Sequence, residues 1–96
     1  MNYVNYHKHS YFSNVLISDS TVSPDDYAKR AIELGQTVLS SCEHSYPGRY
    51  IESYELAKQY NLKFLFAVET YFVKDRFEKD RTNAHMVLLA KNENGR

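Results

Sequence analysis

The chain has 96 residues, 12 of them basic and 12 acidic, and a formal net charge of zero. That balance argues against a strong nonspecific grip on nucleic-acid backbones, which takes a basic surface, without excluding a nucleic-acid role for a larger protein. The length allows one small domain or a piece of a larger one. The one cysteine, Cys42, excludes an internal disulfide. No N-terminal run has the apolar core of a signal peptide and no stretch approaches a membrane span, so the expected location is cytoplasmic, with no membrane partner.

Taken in chain order, "NYVNYHKH" (2–9) reads as a strand. Side chains alternate along a strand, so His7 and His9 would project from one face and Lys8 from the other. Two imidazoles on one face can chelate a metal ion, although the same pair also suits a wet strand edge. The chain has nine tyrosines and no tryptophan. Tyr3, Tyr6 and Tyr11 interleave with polar residues here, a pattern open to base stacking but better read as half-buried rings with wet hydroxyls. "SYFSNVLISDSTV" (10–22) reads as a long loop.

A helix start follows. Ser23 is the N-cap, Pro24 occupies the first helical position, and Asp25 and Asp26 favour the positive end of the dipole. Asp26 completes a capping-box arrangement, with Tyr27, Ala31 and Leu34 at helical spacing and Gly35 as the terminator. "TVLSSCEH" (37–44) is a short strand and "SYPGRY" (45–50) a turn. "YIESYELAKQYN" (50–61) is a second amphipathic helix closed by Asn61. "KFLFAVETYFV" (63–73) is a nearly continuous apolar run, expected to be a strand buried on both faces. "KDRFEKDRTN" (74–83) is a charged connection and "AHMVLLAKN" (84–92) a last apolar strand.

Strands alternating with helices imply α/β architecture with βαβ units and parallel strands, in which ligands gather beyond the carboxyl ends. His7 and His9 end the first strand, and Glu43 and His44 end the second. Glu69 interrupts the long apolar run, where a carboxylate is costly to bury unless paired or metal-bound. His85 opens the last strand, which in a parallel sheet is the end away from the others. Cys42 reads as a small core residue rather than a nucleophile.

The ordered set of a strand ending in His-x-His, an aspartate before a helix, a strand ending in "EH" and a strand carrying "AVE" resembles the PHP (polymerase and histidinol phosphatase) family. "SPDDYAKRAIELG", "CEHSYPGRYIESYELAKQYNLKFLFAVETY" and "HMVLLAKNENG" look like the N-terminal PHP domain of bacterial or phage DNA polymerase III alpha subunits. The resemblance implies a partial distorted (βα)7 barrel, with divalent metal ions (zinc, manganese or iron, up to three in a complete domain) at one mouth. By the same resemblance His7, His9, Asp19, His44, Glu69 and His85 are metal ligands, with Glu69 bridging two ions. Glu43 would orient His44 or simply be solvated, and Asp19 has the competing reading of a loop residue capping a turn.

The implied chemistry is metal-assisted phosphoester hydrolysis, in which divalent ions polarise phosphoryl oxygens and activate water. In polymerase alpha subunits this means 3′–5′ exonuclease or pyrophosphatase action on DNA or nucleotide phosphoesters within a longer DNA polymerase. An inactive structural module that braces the polymerase or binds a proofreading or replisome partner is the alternative, and a small phosphatase of histidinol-phosphate type is a third. The family's last Asp-x-His motif does not occur before Arg96, so residues 1–96 read as the N-terminal portion of such a domain. An isolated portion is expected to hydrolyse phosphoesters weakly, and either to self-associate through an open sheet edge or to be marginally folded.

Overall fold

The computed structural model describes residues 3–14, 18, 20–47, 49–79 and 81–96. Helix α1 spans Pro24–Glu33 and begins as the sequence requires: the Ser23 hydroxyl accepts from the Asp26 backbone N–H, and Asp26 accepts from the Ser23 N–H. The helix ends where Gly35 adopts a φ of 72°, a left-handed conformation that costs glycine little. Strand β1 covers Val38–His44, helix α2 Tyr50–Gln59, strand β2 Lys63–Phe72 and strand β3 Ala84–Leu89. Asn61 takes a φ of 56° just after α2 and turns the chain into β2. Short 3-10 turns occupy Tyr11–Ser13 and Glu93–Gly95.

The architecture is mixed α/β. The sheet order is β1-β2-β3, with β1 and β2 parallel across the α2 crossover. Both helices pack on one face, around a small core of Ala28, Leu39 and Ala57 flanked by Tyr27, Leu56, Tyr60, Leu62 and Phe64. Tyr50 and Tyr54 meet Phe66 and Phe64 edge-on at 4.9 and 5.5 Å, and the Tyr60 hydroxyl donates to Asp25 at 2.8 Å, tying α2 to α1. Small residues dominate the buried set, so the helices sit close to the sheet.

Four expectations are corrected. The segment through His9 is not a strand; residues 3–9 form no ladder. Tyr3 and Tyr6 are about half exposed there, and with polar residues on both faces no apolar stripe drives the segment into the sheet. Second, β3 runs antiparallel to β2, from Ala67↔Leu89 to Phe72↔Ala84. The connection 73–83 holds no helix among its described residues, and a parallel return needs a crossover. Third, β2 is not buried on both faces: only Ala67 and Glu69 are buried, and β3 is mostly exposed. Fourth, Leu34 is exposed, because it falls at the C-cap of α1 beyond the packed turns.

One residue of β1 sits under strain of a chemical kind. Ser40 is 1% exposed, and its hydroxyl has no hydrogen-bond partner among the described residues. An unsatisfied buried hydroxyl carries a desolvation penalty of about 1–3 kcal/mol. Ser40→Ala is therefore expected to leave stability unchanged or raise it by about 1 kcal/mol, read as the shift in urea midpoint; a loss above about 1 kcal/mol would reveal a partner for the hydroxyl.

Candidate metal centre

Register, not local sequence, assembles the centre. His44 and Glu69 are the last paired residues of the β1–β2 ladder, so their side chains share a face at the carboxyl ends of the parallel pair. On the other side of β2, Tyr71 pairs with His85 across the antiparallel ladder. The reversal of β3 thus brings its first residues, not its last, to this end of the sheet. His85 arrives without the long upstream extension that a parallel strand would have needed.

Glu69 lies at the middle, only 4% exposed. Its two oxygens divide the four histidines. Oε2 accepts from Nε2 of His7 and lies 3.3 Å from Nε2 of His9. Oε1 is 2.9 Å from Nδ1 of His44 and 3.0 Å from Nδ1 of His85. The rings crowd accordingly, with centroids 5.4 Å apart for His7 and His9, 5.9 Å for His9 and His44, and 4.9 Å for His44 and His85. Burial alone would push the Glu69 carboxyl up. Hydrogen bonds from His44 and His7, with the charges of His9 and His7, outweigh it and hold the carboxyl at about 2.

Two groups of donor atoms result, each within 4.8 Å of one another: His7, His9 and Glu69, and His44, Glu69 and His85. Imidazole nitrogens converging on a shared carboxylate suit zinc, manganese or iron, and a carboxylate with one oxygen turned to each group suits a bridge between two ions. His7 and His85 are about half exposed while His9 and His44 are a quarter exposed, so the cluster is open to solvent on one side. Asp19, expected in the same set, lies outside the described residues.

Glu43 does not orient the His44 ring, nor is it solvated. It is 3% exposed and points away from the cluster, accepting from the Ser10 hydroxyl (2.6 Å), the Ser10 backbone N–H (3.1 Å) and the Ser13 hydroxyl (2.5 Å). The link to His44 runs through its backbone, whose N–H donates to Ser13 Oγ at 2.9 Å. Lys8 packs over the Tyr27 ring at 4.4 Å; burial pulls its ammonium down to about 8 against the influence of Glu43 and Cys42.

Tyr71 belongs to the site although no motif pointed to it. When His44 Nδ1–H donates to Glu69, Nε2 accepts from the Tyr71 hydroxyl at 3.0 Å, and the phenol ring stands edge-on to His44 and near His85. The available signal was its place two residues after Glu69 on a strand, which puts both on one face.

Cys42 is fully buried. Burial, with Glu69 and Glu43 nearby, pushes its thiol up to about 11, so it stays protonated at neutral pH and is no nucleophile. Native protein is expected to resist alkylation by iodoacetamide at pH 7.5 for hours and to react once denatured; rapid native labelling, followed by mass spectrometry, would contradict the assignment.

This arrangement, with histidines around a carboxylate at the carboxyl end of a parallel pair, is one that could hold metal ions. The PHP domain family matches residues 5–96, and the chain belongs to that family. It is 30% identical over 101 aligned positions to the DNA polymerase III subunit alpha of Chlamydia trachomatis, a match covering 99% of this chain. The chain spans only 8% of that subunit's length. Among solved structures, a protein described as a metal-dependent phosphoesterase from Bifidobacterium adolescentis superposes with a TM-score of 0.68 at 24% identity, covering 94% of this chain and 29% of that one. An amidohydrolase from Chromobacterium violaceum superposes at 0.64, also at 24% identity, over 85% of this chain and 25% of its own. Among the described residues no helix is long and apolar enough to cross a membrane.

Proposed function

We propose that residues 1–96 form the N-terminal portion of a PHP domain in a DNA polymerase III alpha-type protein, and that its histidine–glutamate cluster serves metal-dependent hydrolysis of phosphoesters. The observation that carries this reading is Glu69, a buried carboxylate whose two oxygens face two pairs of imidazoles. His7 and His9 with Oε2 would hold one divalent ion, and His44 and His85 with Oε1 a second. When bound, such ions supply Lewis acidity toward a phosphoryl oxygen and a more acidic water. The chain's own groups do the rest. Glu69 stays ionised across the neutral range and spaces the two positions, while with an ion at His44 Nδ1 the Tyr71 hydroxyl would accept from Nε2–H and so orient the ring.

The substrates this suits are DNA or nucleotide phosphoesters, by 3′–5′ exonuclease or pyrophosphatase chemistry, in a cytoplasmic replication protein that works with proofreading or replisome partners. Metal titration and a nucleotide-ester assay test it together. The expected result is uptake of two equivalents of manganese or zinc, a rise in melting temperature with inorganic phosphate only in the loaded protein, and slow hydrolysis above the metal-only background. Absence of metal uptake would overturn it and leave a structural module with the same fold.

A further inference from the structure

The four histidines reach Glu69 by different routes. His44 and His85 stand on strands whose ladders set their positions. His7 and His9 come from a segment with no ladder, yet both imidazoles arrive at the same carboxylate oxygen. Something other than sheet pairing must hold that segment in place.

We propose that Glu43 is the positioning residue that fastens the His-x-His segment to the end of β1 and so sets the geometry of the His7–His9–Glu69 position. The inference rests on the metal-site reading above and names a residue that touches no metal in it. Glu43 gathers three donors from the stretch just after His9: the Ser10 N–H, the Ser10 hydroxyl and the Ser13 hydroxyl. Each bond also propagates. Ser10 Oγ accepts from the Phe12 N–H at 3.2 Å and caps the 3-10 turn, and Ser13 Oγ accepts from the His44 N–H. All three side chains are buried, so the bonds are shielded from water and strengthened by the low local dielectric. From the other side, the Tyr27 hydroxyl donates to the His9 carbonyl at 2.9 Å. The peptide unit joining His9 to Ser10 is therefore held at both of its polar groups, by Tyr27 at the carbonyl and by Glu43 at the N–H.

The variants that test this are Glu43→Gln, which leaves one acceptor oxygen for three donors, and Ser10→Ala, which removes a single donor and leaves the carboxylate. Two readouts are needed: manganese or zinc affinity of each equivalent by calorimetry, and amide hydrogen exchange of residues 8–13 in the metal-free chain. In Glu43→Gln one equivalent is expected to weaken about 10- to 100-fold, the range for groups that orient ligands, with the other within about twofold. Ser10→Ala should weaken the same equivalent less, and exchange at the Ser10 amide should accelerate in both. Unchanged affinities in both variants, or equal weakening of both equivalents, would overturn the proposal. Should wild-type protein take up no metal, the phosphoesterase reading falls, and the exchange data still judge the clamp: unchanged rates over residues 8–13 in Glu43→Gln would refute it.

Discussion

Replacing Glu69 with glutamine is expected to abolish metal uptake at both positions at once. The side chain keeps its shape, but the negative charge that each group of imidazoles faces is gone, and its one remaining carbonyl oxygen cannot serve both groups. Each equivalent should weaken by at least about 100-fold, more than the loss typical of an orienting group. Hydrolysis should fall by roughly 10³-fold, comparable to losing an electrostatic contact worth about 4 kcal/mol. The same variant separates metal chemistry from folding through pH. The folded carboxyl sits at about 2 against an ordinary value of 4.5, so its stabilisation is fully present above 4.5 and drains as pH falls toward 2. The gap in denaturant midpoint between the metal-free parent and Glu69→Gln should accordingly narrow between pH 4.5 and 2. A gap that widens on acidification, or retention of one tight metal equivalent in the variant, would sink the bridging assignment.

The second large effect concerns association. We propose that the 96-residue chain in solution pairs with copies of itself through β3. Among the described residues β3 is hydrogen-bonded on one side only, and Met86, Leu88 and Leu89 are 39%, 50% and 46% exposed. A strand edge with unpaired backbone groups and apolar side chains is a template for another strand. Light scattering at tens of micromolar is expected to show dimers or larger species. Leu88→Lys, which places a charge on the edge strand, should return the chain to a monomer with an unchanged far-ultraviolet spectrum. A wild-type chain that is monodisperse and monomeric across that range would refute the proposal.

Much of the scaffold was legible residue by residue. Ser23, Pro24 and Asp26 carry a helix start in their own chemistry, and Gly35 and Asn61 mark the ends because the chain must turn there through left-handed conformations. The lone carboxylate in "FLFAVETYF" marked Glu69 for the same kind of reason: burying an ion without partners is costly, so partners had to exist. These are local or pairwise facts, and a sequence carries them directly.

Strand direction, by contrast, is not written in hydrophobic period, which reads the same forward and backward. Only the sheet decided that β3 runs antiparallel, which brings His85 beside Tyr71 at the cluster. Likewise, the strand expected over "NYHKH" is absent, and His7 and His9 come together because a segment lacking a ladder takes its position from distant partners. Glu43, adjacent to His44 in sequence, turned out to serve Ser10 and Ser13 instead, because neighbours on a strand face opposite ways. The residue types able to bind metal were set by the sequence itself, through the chemistry of imidazole and carboxylate. Their division between the two oxygens of Glu69 was decided by tertiary structure, because it depends on register across two ladders and on one buried clamp, and neither is local.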